Sequence, residues 1–128
     1  MTAQQLRDHL VELLVDELGE YRIDGELQGP AVTLGQRPEP GTQVTGLELV
    51  VPLTPQIIRI HEFGTEATFV RLWRIVLKNW DDGASMEVAM TKVLTEFPQS
   101  TDPSIVGPTH DLIETATIHV EDIDLTEG

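Results

Sequence analysis

The chain has 128 residues, of which 22 are acidic and 8 basic, for a formal charge of −14, and no cysteine. This length predicts one domain spanning 1–128, large enough to bury a core without staples, and rules out disulfides, thiolate nucleophiles and cysteine-based zinc sites. The charge argues against direct binding to phosphate backbones, and no apolar run approaches the roughly 20 residues of a membrane helix.

The N-terminus is polar and acidic, without a basic or apolar leader region, so no signal peptide is expected. Thr2–Leu18 reads as an amphipathic helix, with Leu6, Leu10, Leu13, Leu14 and Leu18 on one side and Val11 beside them. Thr2 and Gln5 stand at capping-box spacing, and Gly19 is placed to end the helix in a left-handed turn. Short strands are expected at Tyr21–Ile23 and Ala31–Leu34, with Asp24-Gly25 as a hairpin turn between the segments. Gln36–Gln43 holds Pro38, Pro40 and Gly41 and is predicted to be a mobile loop.

Gln43–Leu53 reads as one strand, with Leu47, Leu49, Val51 and Leu53 on one face and Val44, Glu48 and Val50 on the other. Gln56–His61 is a further apolar run, joined through Glu62–Glu66 to the densest apolar segment of the chain, Ala67–Trp80. That segment holds both tryptophans and three basic residues, Arg71, Arg74 and Lys78. Phe69, Leu72, Trp73, Val76, Leu77 and Trp80 also fit helical spacing. The β-branched and aromatic content favours a strand, with Arg71, Trp73, Ile75 and Leu77 on one face and Leu72, Arg74, Val76 and Lys78 on the other.

Asp81-Asp82-Gly83 ends this strand and caps a helix over Ala84–Glu96, with Met86, Ala89, Met90, Val93, Leu94 and Phe97 inward and Pro98 as its stop. Gln99–Pro108 is expected to be a loop, Glu114–Ile123 the closing strand, and the acidic residues 124–128 a frayed end. The order predicts an α+β fold, an antiparallel sheet with two amphipathic helices packed on one face.

Local motifs for chemistry are missing. His9, His61, His110 and His119 show no metal-ligand spacing, and Asp81-Asp82 and Glu121-Asp122-Ile123-Asp124 fit capping and solvation better than acid–base work. There is no nucleophile elbow, phosphate loop or dinucleotide fingerprint, so neither catalysis nor a cofactor or metal is expected. What remains is a basic, aromatic segment. Arg59, Arg71, Arg74 and Lys78 are half of the 8 basic residues, with Trp73 and Trp80 among them. Arginine and tryptophan are enriched at binding hot spots, which marks Arg59, Arg71, Arg74, Lys78 and Trp80 as candidate subunit or partner contacts. The alternative is that these side chains cover sheet surface and pair with the abundant acids.

The leucine-rich first helix, ValThrGlyLeuGluLeuValVal (Val44–Val51), TrpArgIleValLeuLysAsnTrp (Trp73–Trp80), LeuThrGluPhePro (Leu94–Pro98) and GluThrAlaThrIleHisVal (Glu114–Val120), in this order, resemble the tail terminator and tail-completion proteins of tailed bacteriophages. The resemblance covers most of the chain as a pattern of elements. It implies a ring of identical subunits, typically a hexamer, that caps the tail tube and meets the head connector, in the virion and, during assembly, in the host cytoplasm. It implies no catalysis and no cofactor, and assigns contact roles to the basic central strand and the Gln36–Gln43 loop. An acidic bore would let DNA pass without adhesion. The alternatives are an acidic binding protein or DNA mimic occupying a basic partner, and another neck or connector subunit.

Overall fold

A computed structural model describes residues 1–63, 66–81, 86–109 and 113–122, with side chains described outside 57–70. Helix α1 spans Ala3–Leu13. Its start is fixed by the expected capping box: the Gln5 N–H donates to Thr2 Oγ1 at 3.1 Å and the Thr2 N–H donates to Gln5 Oε1 at 2.8 Å. These bonds satisfy donors that a helix N-terminus otherwise leaves open. Leu6, Leu10 and Leu14 are fully buried, so the leucine stripe is core. The helix ends earlier than predicted, because the chain turns after Leu13 to bring Leu18 into a bridge with Leu47.

Gly19 has a different job from the one expected. It ends no helix; its N–H donates to the Leu47 carbonyl at 2.8 Å and its own carbonyl accepts from Ala31 at 3.0 Å. A Cβ there would stand 1.5 Å from the Thr45 carbonyl oxygen, so close backbone approach is what requires glycine.

Strand β1 (Glu20–Ile23) pairs antiparallel with β2 (Glu26–Pro30) across the Asp24-Gly25 turn. Both turn residues have positive φ, 52° and 82°, as a two-residue hairpin of this kind demands. Strand β2 is an addition to the expected set, hidden by its polar, exposed sequence. Strand β3 is Val32–Leu34.

The predicted strand Gln43–Leu53 is two strands. Gly46, at φ 74°, divides β4 (Gln43–Thr45) from β5 (Leu47–Val51). Strand β4 joins β1 and β2 in a small sheet, and β5 enters the large one. Leu47, Leu49 and Val51 are fully buried as predicted, but Leu53 falls beyond the strand and is 57% exposed.

Strand β6 (Gln56–Phe63) and strand β7 (Glu66–Asn79) form a tight hairpin. Phe63 already faces Glu66, which makes the connection shorter than the expected Glu62–Glu66 link. Helix α2 covers Met86–Glu96; the start at Asp82–Ser85, including the proposed Asp82 cap, lies outside the described residues. Met86, Ala89, Met90, Val93 and Phe97 are buried, while Leu94, predicted inward, is 36% exposed. The segment read as a loop after Pro98 carries strand β8 (Thr101–Val106). Proline is tolerated in an edge strand, and β8 is the edge, paired only with β9 (Glu114–Glu121) among the described strands.

The large sheet runs β3-β5-β7-β9-β8, with β6 also on β7. All its pairs are antiparallel except β3 with β5, which is parallel, so the α+β class is as expected and the sheet is mixed. Leu6 and Leu10 of α1, Leu14 at its C-cap, Met90 and Val93 of α2, and Trp73, Ile75, Leu77, Ile118 and Val120 of the sheet share one apolar cluster. Burial of this apolar surface, worth about 25 cal/mol per Å², holds the helices against the sheet. Two contacts lock α2 to the first helix: His9 to Glu96 at 3.1 Å, and Lys92 to Glu17, just past the end of α1, at 2.8 Å.

Candidate subunit interface

Strand β7 organises the surface as well as the core. Its Val76–Asn79 half lies between β5 and β9. Its Glu66–Leu72 half has β6 on the edge that β5 occupies higher up. Beyond Leu72 the β9 ladder ends, and the last tie is the Asp122 N–H donating to the Arg71 carbonyl at 2.9 Å. From there β6 and β7 continue as a two-stranded ribbon among the described strands. Open strand edges of this sort are ready to pair or must be covered.

The two faces of the β5–β7–β9 region differ sharply. Trp73 is 2% exposed, and Ile75 and Leu77 are 1% each. On the other face Arg74 is exposed and Val76 and Lys78 are half-exposed. Leu72, on the Arg74 side, is the exception: it is fully buried where β7 is flanked by Gln56 of β6 and Glu121 of β9.

Glu48, on the face of its strand opposite Leu47 and Leu49, is 4% exposed. Its carboxylate accepts the Tyr21 hydroxyl through Oε2 and the Trp80 indole N–H through Oε1, the latter at 3.1 Å. A buried carboxylate is tolerable when donors meet it. Tyr21 belongs to the small sheet, Glu48 to β5 of the large one, and Trp80 directly follows β7, so this cluster ties the two sheets. Burial, then the hydrogen bond and charge of Glu48, push the Tyr21 phenol well above its ordinary pKa of 10.0, with Thr33 opposing weakly.

Because Glu48 turns to Tyr21 and Trp80, its cross-strand neighbour Lys78 is left without it. The ion pairs among the described residues use Arg7, His9, Arg22, Lys92 and the N-terminus. Arg37, Arg71, Arg74 and Lys78 are in none of them. In a chain of charge −14 this is unexpected, since each cation has many acids to choose from.

Three of these cations converge. Arg37, Arg74 and Lys78 line one cleft of about 400 Å³ on the outer face of the large sheet, together with Glu48, Val50, Val76, Gln36 and Pro38. A second cleft of about 400 Å³ lies on the other side of the same Pro-rich loop, lined by Tyr21, Gln28 and Thr42 and sharing Arg37 with the first.

Of the predicted contact residues, Arg74 and Lys78 are together in this cleft. Arg71 is exposed but alternates onto the Trp73 side, at the root of the ribbon, away from them. Arg59 is in β6, opposite Val70 after a register shift, and its side chain lies outside the described residues. Trp80 is 47% exposed, held by Glu48 and by its own N–H donating to the Gly46 carbonyl at 2.9 Å. Arg37 was not singled out; only its place in the Pro-rich loop pointed to it. Among the described residues no group of three histidine, aspartate or glutamate side chains is placed to hold a metal, and no helix is long and apolar enough to cross a membrane.

Comparison with protein-family models, curated proteins and solved structures found no match to this chain.

Proposed function

We propose that the chain is a structural subunit of the tailed-bacteriophage neck, a tail terminator that closes into a ring on the end of the tail tube and meets the head connector on its other side. The observation that carries this reading is a cleft lined by Arg37, Arg74 and Lys78, none of which forms an ion pair among the described residues, in a chain of formal charge −14. A ring needs a heterologous contact, in which one patch of the subunit meets a different patch on the next copy. A basic cleft and an acidic remainder supply two such patches, with charge steering encounter and fixing register. The β6–β7 ribbon adds an open edge for a neighbour, and the order of elements resembles the tail-terminator pattern. The net charge suits a bore through which DNA moves without sticking.

Light scattering and negative-stain microscopy of the purified chain, alone and with tail tubes, test this. The expected result is a closed ring, either free or on the tube end. The Arg74→Glu/Lys78→Glu double variant is expected to melt like wild type and fail to assemble. A mobility assay at low salt, where attraction is greatest, is expected to show no duplex DNA binding. A chain that stays monomeric at high concentration and also ignores tube ends overturns the reading. So does tight DNA binding.

A further inference from the structure

The cleft lined by Arg37, Arg74 and Lys78 has a counterpart on the other side of the subunit. Helix α1 turns Leu6 and Leu10 to the core. Glu12 stands about 200° around the helix from Leu10 at 3.6 residues per turn, and is exposed. Val15 and Asp16, in the turn that follows, are exposed as well. We propose that this acidic, partly apolar back of α1 in one copy docks on the cleft of the next copy, which names the second patch of the ring contact and rests on the ring reading.

Charge complementarity is the first argument. Glu12 and Asp16 are in none of the ion pairs among the described residues, whereas Asp8, one turn earlier, is taken by Arg7. Arg37, Arg74 and Lys78 are in none of them either. Glu48 also lines the cleft, but both its oxygens already accept, from Tyr21 and from Trp80. The lining therefore sets three cations against one carboxylate that is engaged elsewhere. Arginine suits the pairing, since its planar fork binds a carboxylate in two-pronged fashion.

The second argument is the apolar surface that both patches leave out. Val15 is 66% exposed, more than any other large hydrophobic side chain among the described residues, and with Val11, Leu18 and Leu27 it lines a groove of about 320 Å³. In the cleft, Val76 lies between Arg74 and Lys78 along β7, opposite Val50 of β5, and both valines are half-exposed. Apolar surface ringed by opposite charges joins burial to register. The third argument is placement. Helix α1 packs on the Trp73 side of the large sheet, while the cleft opens on the Arg74 side. The sheet stands between the two patches, so no chain can bring its own α1 to its own cleft. A neighbour can, and the contact then repeats head to tail, as a closed ring requires. Pairing two clefts, or two α1 backs, would instead set like charges together.

The absence of cysteine permits a clean test. Val76→Cys, in the cleft, is made in a tagged copy, and Val15→Cys in an untagged one. Gln36→Cys and Leu27→Cys, from the same cleft and the same groove, replace whichever of these does not melt like wild type. The two copies are mixed, with and without tail tubes, and oxidised by air with copper-phenanthroline. The expected product is a disulfide between tagged and untagged chains. Its yield falls at least about tenfold when the tagged copy also carries Arg74→Glu and Lys78→Glu, and recovers when the untagged copy carries Glu12→Lys and Asp16→Lys, because swapped charges restore the pair. Added salt lowers the yield.

If wild type assembles by light scattering but no mixed disulfide forms, the contact between α1 and the cleft is overturned while the ring reading stands. If wild type neither assembles, alone or on tubes, nor cross-links, both fail. Disulfides between two untagged copies in place of the mixed product would mark the back of α1 as a self-pairing surface and overturn the proposal. A yield indifferent to the charge reversals overturns it too, because charge is what selects the partner. So does loss of the mixed disulfide to a short DNA duplex at low salt, which would identify the cleft as a phosphate site.

Discussion

The two faces of β7 share one backbone and have opposite fates. Inward, Trp73, Ile75 and Leu77 are sealed beneath the two helices. Outward, Arg74 is exposed and Val76 and Lys78 are half-exposed. Alternation along the strand puts the buried core on one side and a solvent-facing surface on the other.

The largest expected effect breaks this contrast at neighbouring residues. Trp73→Ala should cost about 3–5 kcal/mol, as buried aromatic truncations do, whereas Arg74→Ala should stay within about 0.5 kcal/mol, as an exposed side chain with no ion pair among the described residues. Thermal or urea unfolding of the two variants reads the difference directly. Similar losses at both positions would mean that the outer face is packed, not open.

A smaller effect tests Glu48, which like Leu72 is buried against the pattern. Glu48→Ala removes the acceptor for both the Tyr21 hydroxyl and the Trp80 indole N–H. Tyr21 is the buried one of the two, and leaving a buried donor unsatisfied costs about 1–3 kcal/mol. The expected loss lies below that of Trp73→Ala, with a red shift of Trp80 emission as the ring loosens. An unchanged melting curve would separate Glu48 from the joining of the two sheets.

The smallest effect is spectroscopic. Tyr21 is the chain's single tyrosine, so phenolate absorbance reports it alone. Its pKa is raised in the fold, chiefly by burial and then by Glu48. A raised value means the folded state keeps the proton that the unfolded chain gives up near 10.0. The stabilisation from this site is therefore complete below pH 10 and is lost as pH climbs above it. Alkaline titration should show no phenolate until the protein unfolds, and Tyr21→Phe should flatten the alkaline loss of stability. Phenolate appearing near its ordinary value in folded protein would place Tyr21 in solvent.

Much of the candidate site was legible, in pieces. The basic segment was visible as composition, and the period of two already put Arg74 and Lys78 on one face and Arg71 on the other. Arg37 was not recoverable. It meets Arg74 only because the parallel β3–β5 pair and the loop after it bring the Pro-rich segment over the sheet.

What the sequence determined by itself is local and periodic: the capped leucine helix, the Asp24-Gly25 turn, the inward face of β7 and the closing strand. Each is encoded by side chains within a few residues of one another, where spacing alone decides which face is apolar. Only the tertiary structure decided the break at Gly46, the pairing of the polar β8 and the burial of Glu48. The reason is separation in the chain. Glu48 is buried because Tyr21, 27 residues before it, and Trp80, 32 after it, deliver donors to its carboxylate. Those partners replace the water it would otherwise need, and only the folded chain brings them together.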